Sequence, residues 1–387
     1  MGAMNILYLI LVPCAWCVVL AYHGDDLPPG PYCGLTGQCC SNRQDSCSHK
    51  ILDFSDVEVK SIEEKNAGYC VCDVSPLTGN MDWICSSDPC IIDERILDEV
   101  NRGFTTWKAA NYSEFYNKKL KDGIIYKLGT LPLSAETLRM YPIRYNKDIE
   151  YPRHFDSRTR WPGLISPIVD QAWCGSDWAV SIAGVASDRF AIQSNGIENM
   201  VLSPQTLVSC NTRGQQSCDG GHIDIAWNFA RTHGLVDEAC FPYKAAKTPC
   251  PFKRRGDLIQ DGCRPVVAKR FSRYKVGTPG LLQNERDIMY DIIESGPVQA
   301  IMTVRQDFFH YRQGVYRHTN IGDTTLQGLH SVRIIGWGDD NGLPYWIVAN
   351  SWGPQWGENG FFRIARGTNE SGIESFVVTV LAEVTEA

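Results

Sequence analysis

Asp177 is the residue whose chemistry raises the first question of this sequence. It lies in the segment WCGSDWAV (173–180), at the predicted N-terminus of a helix. A carboxylate that attacked a peptide bond would have to form a mixed anhydride, and the adduct would expel the carboxylate more readily than the amine. The sequence also places no evident second carboxylate to share a proton with it, as paired catalytic acids do. Asp177 is therefore a poor candidate nucleophile.

The helix that begins at Asp177 is predicted from the segment SDWAVSIAGVASDRFAIQ (176–193). Either Ser176 or Asp177 is suited to be its N-cap, and Gly196 follows its end. Apolar side chains at helical spacing predict a buried stripe, which comprises Trp178, Ile182, Val185, Ala186 and Ile192. A second helix is predicted in GHIDIAWNFARTHG (221–234).

The chain after about residue 297 has the pattern of short strands separated by Gly, Asn and Pro. The segments are VQAIMTV, GVYRH, HSVRIIGWG, YWIVANSW and FFRIARG. A helical first half and a sheet-rich second half predict an α+β domain with two lobes around a cleft.

The region 96–150 has no cysteines and too few apolar residues for a core of its own, so we expect it to lie against another part of the protein. The segment IIDERILDEVNRGFTTWKA predicts an amphipathic helix whose apolar face comprises Ile92, Ile96, Val100 and Phe104. The segments YKLGTLPLS and YPIRY are predicted to be extended and interrupted by prolines.

Residues 1–21 are predicted to be a signal peptide. Its apolar run from Ile6 to Ala21 is too short to span a bilayer comfortably, and Val19 and Ala21 provide small residues before the cleavage site. No later stretch reaches transmembrane length. We therefore expect a protein secreted to the extracellular space or matrix.

The chain has 16 cysteines, and removing two with the signal peptide leaves two even groups. One group lies in residues 22–95 and the other between Cys174 and Cys263, which indicates two disulfide frameworks. The 22–95 module needs its disulfides in place of a core, and is typical of a binding or spacer unit. A zinc site at Cys70-Val-Cys72 is the competing interpretation, but zinc sites usually have two residues between their cysteines. We therefore expect no metal.

The formal net charge of −7 does not favour a surface for polyanions. The short basic run at residues 253–255 is interpreted as a solvated loop. We therefore expect neither a nucleic-acid partner nor a cofactor.

The segment VDQAWCGSDWAV resembles the active-site segment of papain-like cysteine proteases, whose motif reads Q-G-x-C-G-S-C-W. The resemblance extends in the same order to SCDGGH, GLHSVRIIGWG and YWIVANSWG, with His330 and Asn350 close to the family's spacing. It implies a two-lobed, cathepsin B-like papain domain over residues 151–387.

The resemblance also implies roles for single residues. Gln171 matches the oxyanion donor, His330 the general base, Asn350 the residue that orients it and Trp352 the indole that covers that contact. Asp177 occupies the place of the nucleophilic cysteine, so the chain keeps three of the four parts that the reaction needs. Positions expected to contact a ligand in the cleft are Gly220, Gly221, Trp352 and, at the floor of the S2 pocket, Phe376.

Two explanations for Asp177 stay open. In the first, its charge at a helix N-terminus replaces that of the thiolate and forms a structural ion pair with protonated His330. In the second, the position has drifted because it is no longer selected.

The family pattern further implies the disulfides Cys174–Cys218, Cys210–Cys250 and Cys240–Cys263. The segment NRGFTTWKA resembles a cathepsin B propeptide, so 96–150 is interpreted as a pro-segment that stays attached, since self-processing is not expected. A cysteine-rich, somatomedin B-like module, such a pro-segment and a papain domain without its nucleophile together resemble the tubulointerstitial nephritis antigen family. Members usually carry serine where this chain has Asp177.

The resemblance implies a secreted, catalytically inactive glycoprotein, with glycosylation acceptors at Asn111 and Asn369. Its expected partners are extracellular matrix proteins, cell-surface receptors or secreted ligands, which could carry a lipid. An active papain-like hydrolase and a decoy that captures substrates without cutting them are the alternatives.

Overall fold

The structure is a computed structural model, which describes residues 89–116, 118–133, 140–145, 149–252, 270 and 273–385. Closer to the N-terminus it describes the backbone of short strands, namely β1 (Leu9–Leu11), β2 (Val18–Leu20), β3 (Tyr32–Cys33), β4 (Cys39–Cys40), β5 (Tyr69–Val74) and β6 (Met81–Ser86). Most of the predicted signal peptide and of the cysteine-rich module lies outside the described residues, and so does Cys263.

The helices of the described residues are α1 (Glu94–Arg102), α2 (Leu120–Lys127), α3 (Ser157–Arg160), α4 (Asp177–Gln193), α5 (Pro204–Cys210), α6 (Ile223–Thr232) and α7 (Glu285–Ser295). The remaining strands are β7 (Trp107–Ala109), β8 (Tyr141–Ile143), β9 (Phe155–Asp156), β10 (Gly280–Leu282), β11 (Val298–Arg305), β12 (Tyr311–Tyr316), β13 (Gln327–Asp340), β14 (Leu343–Ala349), β15 (Phe361–Ala365) and β16 (Val377–Thr379).

The chain divides into two compact units. The first comprises residues 1–98 and 111–123, and the second comprises residues 99–110 and 124–387. In the first unit β1 pairs with β2, β3 with β4 and β5 with β6, each antiparallel. Cys90 there is buried and disulfide-bonded.

The predicted apolar face of the first helix is wrong at its last position. Ile92, Ile96 and Val100 are buried, but Phe104 is fully exposed. The helix ends at Arg102, and the Thr105 hydroxyl then donates to the carbonyl of Val100. The chain enters β7, where Trp107 is buried and donates to the carbonyl of Arg317. Trp107 is thus the buried aromatic residue of this segment.

Helix α4 lies at the centre of the helical part of the second unit. The predicted stripe is buried, but so are most of the other side chains of the helix, including Ser181, Ser187 and Arg189. The helix is therefore enclosed on nearly all sides, and its core neighbours include Leu207 of α5 and Trp227 of α6. Ser176 is its N-cap residue, although the Ser176 side chain makes no capping hydrogen bond.

Ten of the described strands form one sheet, in the order β7-β12-β15-β14-β13-β11-β16-β10-β8, with β9 also paired to β13. The long strand β13 carries His330, which lies opposite Met302 of β11. Strand β14 runs antiparallel to β13 and ends at Ala349, which is paired with Arg333. This register places Asn350, the next residue, close to His330.

A buried ion pair joins α4 to β13. The guanidinium of Arg333 lies 2.5 Å from the carboxylate of Asp188, and Ser166 donates to the same carboxylate from both its amide and its hydroxyl. Since α4 begins at Asp177 and β13 carries His330, this contact fixes the two elements that meet at the site.

The predicted α+β class is confirmed. Sequence reasoning predicted α4, α6 and the strands β11–β15, but it missed α5 and α7. Both have side-chain N-caps, since Ser203 accepts from the amide of Gln205 and Asn284 from the amide of Asp287. No helix among the described residues is long and apolar enough to cross a membrane.

Candidate functional site

Asp177 is buried at the first turn of α4, and both of its carboxylate oxygens accept hydrogen bonds. One oxygen accepts from the backbone amide of Gly129 at 2.5 Å. The other accepts from the hydroxyl of Thr130 at 2.5 Å and from the amide of Ser331 at 2.8 Å. These three donors form strong, charge-assisted hydrogen bonds with the buried carboxylate.

His330 lies beside Asp177 and contacts Asn350. Its Nε2 donates to Oδ1 of Asn350 at 2.7 Å, and the ring centroid of Trp352 is 5.2 Å from that of the imidazole. His330 Nδ1 is 3.4 Å from a carboxylate oxygen of Asp177, but within the described residues it makes no hydrogen bond. Asp177 and His330, the two residues of the expected ion pair, are thus in close contact without a hydrogen bond between them. The hydrogen bonds of Asp177 are instead with Gly129, Thr130 and Ser331.

Gln171 is buried, and its side-chain amide is fully engaged. Its Nε2 donates to the carbonyl of Cys174 at 2.9 Å and to that of Lys127 at 3.3 Å, while its Oε1 accepts from the hydroxyl of Ser351. The indole of Trp352 also donates to the carbonyl of Lys127, at 3.4 Å. The Gln171 amide, which is expected to donate to an oxyanion, therefore donates to two carbonyls of the chain itself.

Several partners of Asp177 and Gln171 belong to one stretch that begins at the last residue of α2, Lys127–Pro132, called here the cleft segment. Its backbone pairs with Gly221, because Gly221 donates to the carbonyl of Gly129 at 2.9 Å and accepts from the amide of Leu131 at 3.0 Å. On its other side Thr130 forms a β-bridge with Leu329 of β13. The cleft segment thus lies between Gly221 and Leu329 of β13, with backbone pairing to both.

Glycine is required where the cleft segment passes the start of α4. A Cβ added to Gly129 would lie 1.8 Å from the carbonyl oxygen of Gly175, and one added to Gly221 would lie 2.4 Å from the ring of Trp178. Neither neighbour is a flexible side-chain end, so both glycines allow the close approach of backbone to backbone or ring.

The loop before α4 is held by a disulfide and by two hydrogen bonds of Tyr243. A disulfide joins Cys174 to Cys218. The hydroxyl of Tyr243 is 2.5 Å from that of Ser176 and donates to the carbonyl of Gln171 at 3.0 Å. Burial raises the pKa of the Tyr243 phenol well above its ordinary value, so the group stays neutral and can donate.

The site combines a helix N-terminus, an imidazole and an orienting amide, and its residues lie in a region that matches a known family. The family model for papain family cysteine proteases matches residues 151–381. The chain belongs to the papain family. It is 38% identical over 357 residues to tubulointerstitial nephritis antigen from Homo sapiens, covering 87% of this chain and 74% of that protein. This similarity places it in the tubulointerstitial nephritis antigen branch of the papain family.

Two further similarities agree with this branch. The chain is 39% identical over 347 residues to a tubulointerstitial nephritis antigen-like protein from Homo sapiens, covering 82% of this chain and 73% of that protein. Among solved structures, procathepsin B S9 from Trypanosoma congolense superposes with a TM-score of 0.65 at 29% identity, covering 76% of this chain and all of that one.

Two of the other predicted cleft residues of this papain-family chain, Gly220 and Gly221, lie beside the cleft segment, while Phe376 lies in the core. Gly220 has a positive φ of 124° and precedes Gly221, which pairs with the cleft segment. Phe376 is buried in the core cluster that contains Trp178. Its contact with a ligand at the S2 pocket stays a prediction.

The predicted covalent features are placed as follows. Cys210 is joined to Cys250. Cys240 is disulfide-bonded, but Cys263, its predicted partner, lies outside the described residues. Asn369 is exposed, whereas Asn111 is half-buried with its Oδ1 enclosed. Within the described residues no group of His, Cys, Asp or Glu side chains could hold a metal ion.

Sequence reasoning missed the residues that bind Asp177. Gly129 and Thr130 lie in YKLGTLPLS, for which the sequence predicts only an extended conformation, and Ser331 directly follows the histidine. A usable signal was present, because a buried anion needs donors and the Gly-Thr pair supplies an amide and a hydroxyl one residue apart.

Proposed function

We propose that this papain-family protein is secreted and has no peptidase activity, and that it acts by binding. The observation that carries the proposal is Asp177 at the nucleophile position, with both carboxylate oxygens bound to donors within the protein. A carboxylate in these contacts has neither the reactivity of a thiolate nor free access to a substrate carbonyl.

The reaction would lack more than its nucleophile. His330 would have no thiol to deprotonate. The Gln171 amide, which would have to donate to an oxyanion, donates instead to the carbonyls of Lys127 and Cys174. The imidazole–amide pair of His330 and Asn350 is retained. We interpret it as part of the packing beneath Trp352.

The proposed partners are extracellular matrix proteins, cell-surface receptors or secreted ligands, which could carry a lipid. The similarity to tubulointerstitial nephritis antigen and its relative supports this class of protein. The predicted signal peptide and the disulfides Cys174–Cys218 and Cys210–Cys250 support secretion. Asn369 is exposed and is the favoured glycosylation site.

A turnover assay tests the absence of peptidase activity. The purified full chain and its His330→Ala variant would be incubated with peptide libraries and with a thiol-directed active-site probe, beside an active cathepsin B-like enzyme. We expect both chains to give the same background and no probe labelling. Turnover that His330→Ala abolishes would show an active hydrolase and overturn the proposal.

A further inference from the structure

We propose that Asp177 turns the former nucleophile position into a recognition subsite for an extended peptide that carries a glycine followed by a hydroxyl residue. In this chain the cleft segment Lys127–Pro132 occupies the subsite as an attached internal ligand. The inference rests on the proposed absence of peptide cleavage at this cleft, and it adds which peptide the cleft holds.

The charge of Asp177 determines which groups of a peptide can face it. A substrate presents a carbonyl group to a nucleophile, but a buried carboxylate repels a carbonyl oxygen and attracts N–H and O–H groups. The cleft segment meets this requirement, since it presents the Gly129 amide to one oxygen and the Thr130 hydroxyl to the other. The subsite therefore selects a pair of donors on adjacent residues.

The first position of the pair is selected by its size. Gly129 packs against the backbone of Gly175, and a Cβ there would lie 1.8 Å from the Gly175 oxygen and 2.2 Å from its carbonyl carbon. Gly175 itself is held by a hydrogen bond from its amide to the carbonyl of Cys218, whose side chain is in the disulfide with Cys174. Because this wall is fixed, a larger residue cannot be accommodated by a small shift.

The second position is selected by its hydroxyl. Oγ1 of Thr130 donates to Asp177 and is 2.6 Å from the hydroxyl of Ser331, whose backbone amide also donates to Asp177. All of these groups are buried. Valine has nearly the shape of threonine, but it would leave the buried carboxylate without this donor and the Ser331 hydroxyl without its acceptor, which is costly.

Backbone pairing adds affinity on both sides of the pair. Gly221 exchanges two hydrogen bonds with the cleft segment, and Thr130 is also bridged to Leu329. The segment is thus paired on both sides, and in such strand addition the backbone bonds give affinity while side-chain pockets give specificity. Since the segment is part of the chain, its effective concentration is high, and a free peptide competes poorly with it.

A peptide-binding experiment on the full chain tests the subsite. The Gly129→Ala variant displaces the internal segment sterically and provides an empty cleft. Fluorescent peptides KLGTLP, KLGVLP and KLATLP would be titrated into this variant and into the wild type. We expect the variant to bind KLGTLP at least tenfold more tightly than the other two peptides, and the wild type to bind none of them at the same concentrations.

The dependence on Asp177 is tested in the same assay. The Gly129→Ala/Asp177→Ala double variant should lose the preference for threonine over valine. Equal binding of the three peptides by Gly129→Ala, or a preference that survives the loss of Asp177, would overturn the subsite. If Gly129→Ala fails to fold, Thr130→Val serves as the receptor, since it weakens the internal segment without a steric clash.

Peptide cleavage and peptide discrimination are read separately in these titrations. Cleavage of any peptide by the wild type refutes the proposed inactivity. Intact peptides with no discrimination between KLGTLP and KLGVLP refute the subsite alone.

Discussion

Asp177 differs from a thiolate in how many donors it can hold. Its two oxygens bind Gly129, Thr130 and Ser331, so the side chain works as a fixed acceptor inside the cleft. Neither of the two explanations drawn from sequence includes these bonds. A drifting position has no reason to be surrounded by three well-placed donors, and an ion pair with His330 would not need the cleft segment.

Thr130→Val tests the hydrogen bond of Thr130 to Asp177. The variant removes a donor to a buried carboxylate, so we expect the free energy of unfolding to fall by about 1–3 kcal/mol, measured by denaturant titration. Thr325→Val is the matched control, because Thr325 also donates to an aspartate, Asp323, but on an exposed loop. The control should change stability by less than about 0.5 kcal/mol. Equal losses in both variants would count against a special role for Thr130.

Gly129→Ala tests the steric limit at the same place. The added methyl overlaps the backbone of Gly175, so the cleft segment has to leave its position. We expect limited proteolysis to cut within residues 127–132 at least tenfold faster than in the wild type. Gly277→Ala is the control, since its Cβ would meet the Leu381 oxygen at an ordinary 3.6 Å. Unchanged cleavage of Gly129→Ala would show that the segment tolerates a side chain there.

Local patterns explain which elements could be predicted. The long apolar run of α4 and the alternating segments of β11–β15 each carry their own signal, and motif spacing brought Asp177, His330, Asn350 and Gln171 together. The cleft segment could not be predicted, because its conformation depends on contacts with Gly221 and Leu329, which are distant in sequence. The prediction for Phe104 was wrong for a local reason, since the helix ends at Arg102 and the Thr105 hydroxyl donates to the carbonyl of Val100.

Arg333→Met tests the contact between α4 and β13. Removing the guanidinium leaves the buried Asp188 carboxylate without its countercharge, so we expect a loss of about 3–5 kcal/mol in the free energy of unfolding at neutral pH. Arg153→Met is the control, because its pair with Asp339 is exposed and should give no measurable loss.

The same variant has a predicted pH dependence. Burial raises the pKa of Asp188 and the charge of Arg333 opposes that rise. Without Arg333 the pKa of Asp188 rises further in the folded state, so the folded variant binds a proton more readily than the unfolded chain. Its deficit should therefore shrink as the pH falls and the carboxyl is protonated. A deficit that grows towards acid pH would contradict this.

The secreted form of the whole molecule should keep its pro-segment. A chain without peptidase activity cannot remove its own pro-segment, and the cleft segment contributes the donors that Asp177 needs. We expect protein secreted by transfected cells to begin after residue 21 and to retain residues 127–132, as read by N-terminal sequencing and intact mass. A mature N-terminus near Tyr151 would mean that another protease empties the cleft.

Amide hydrogen exchange of the secreted wild-type protein tests the central claim most directly, because it reports whether the cleft segment stays bound to Asp177 and Gly221. The account predicts slow exchange of the Gly129 and Leu131 amides, and exchange at least tenfold faster for the Gly129 amide in Asp177→Ala. Exchange of both amides in the wild type at the rate of an exposed loop would contradict it.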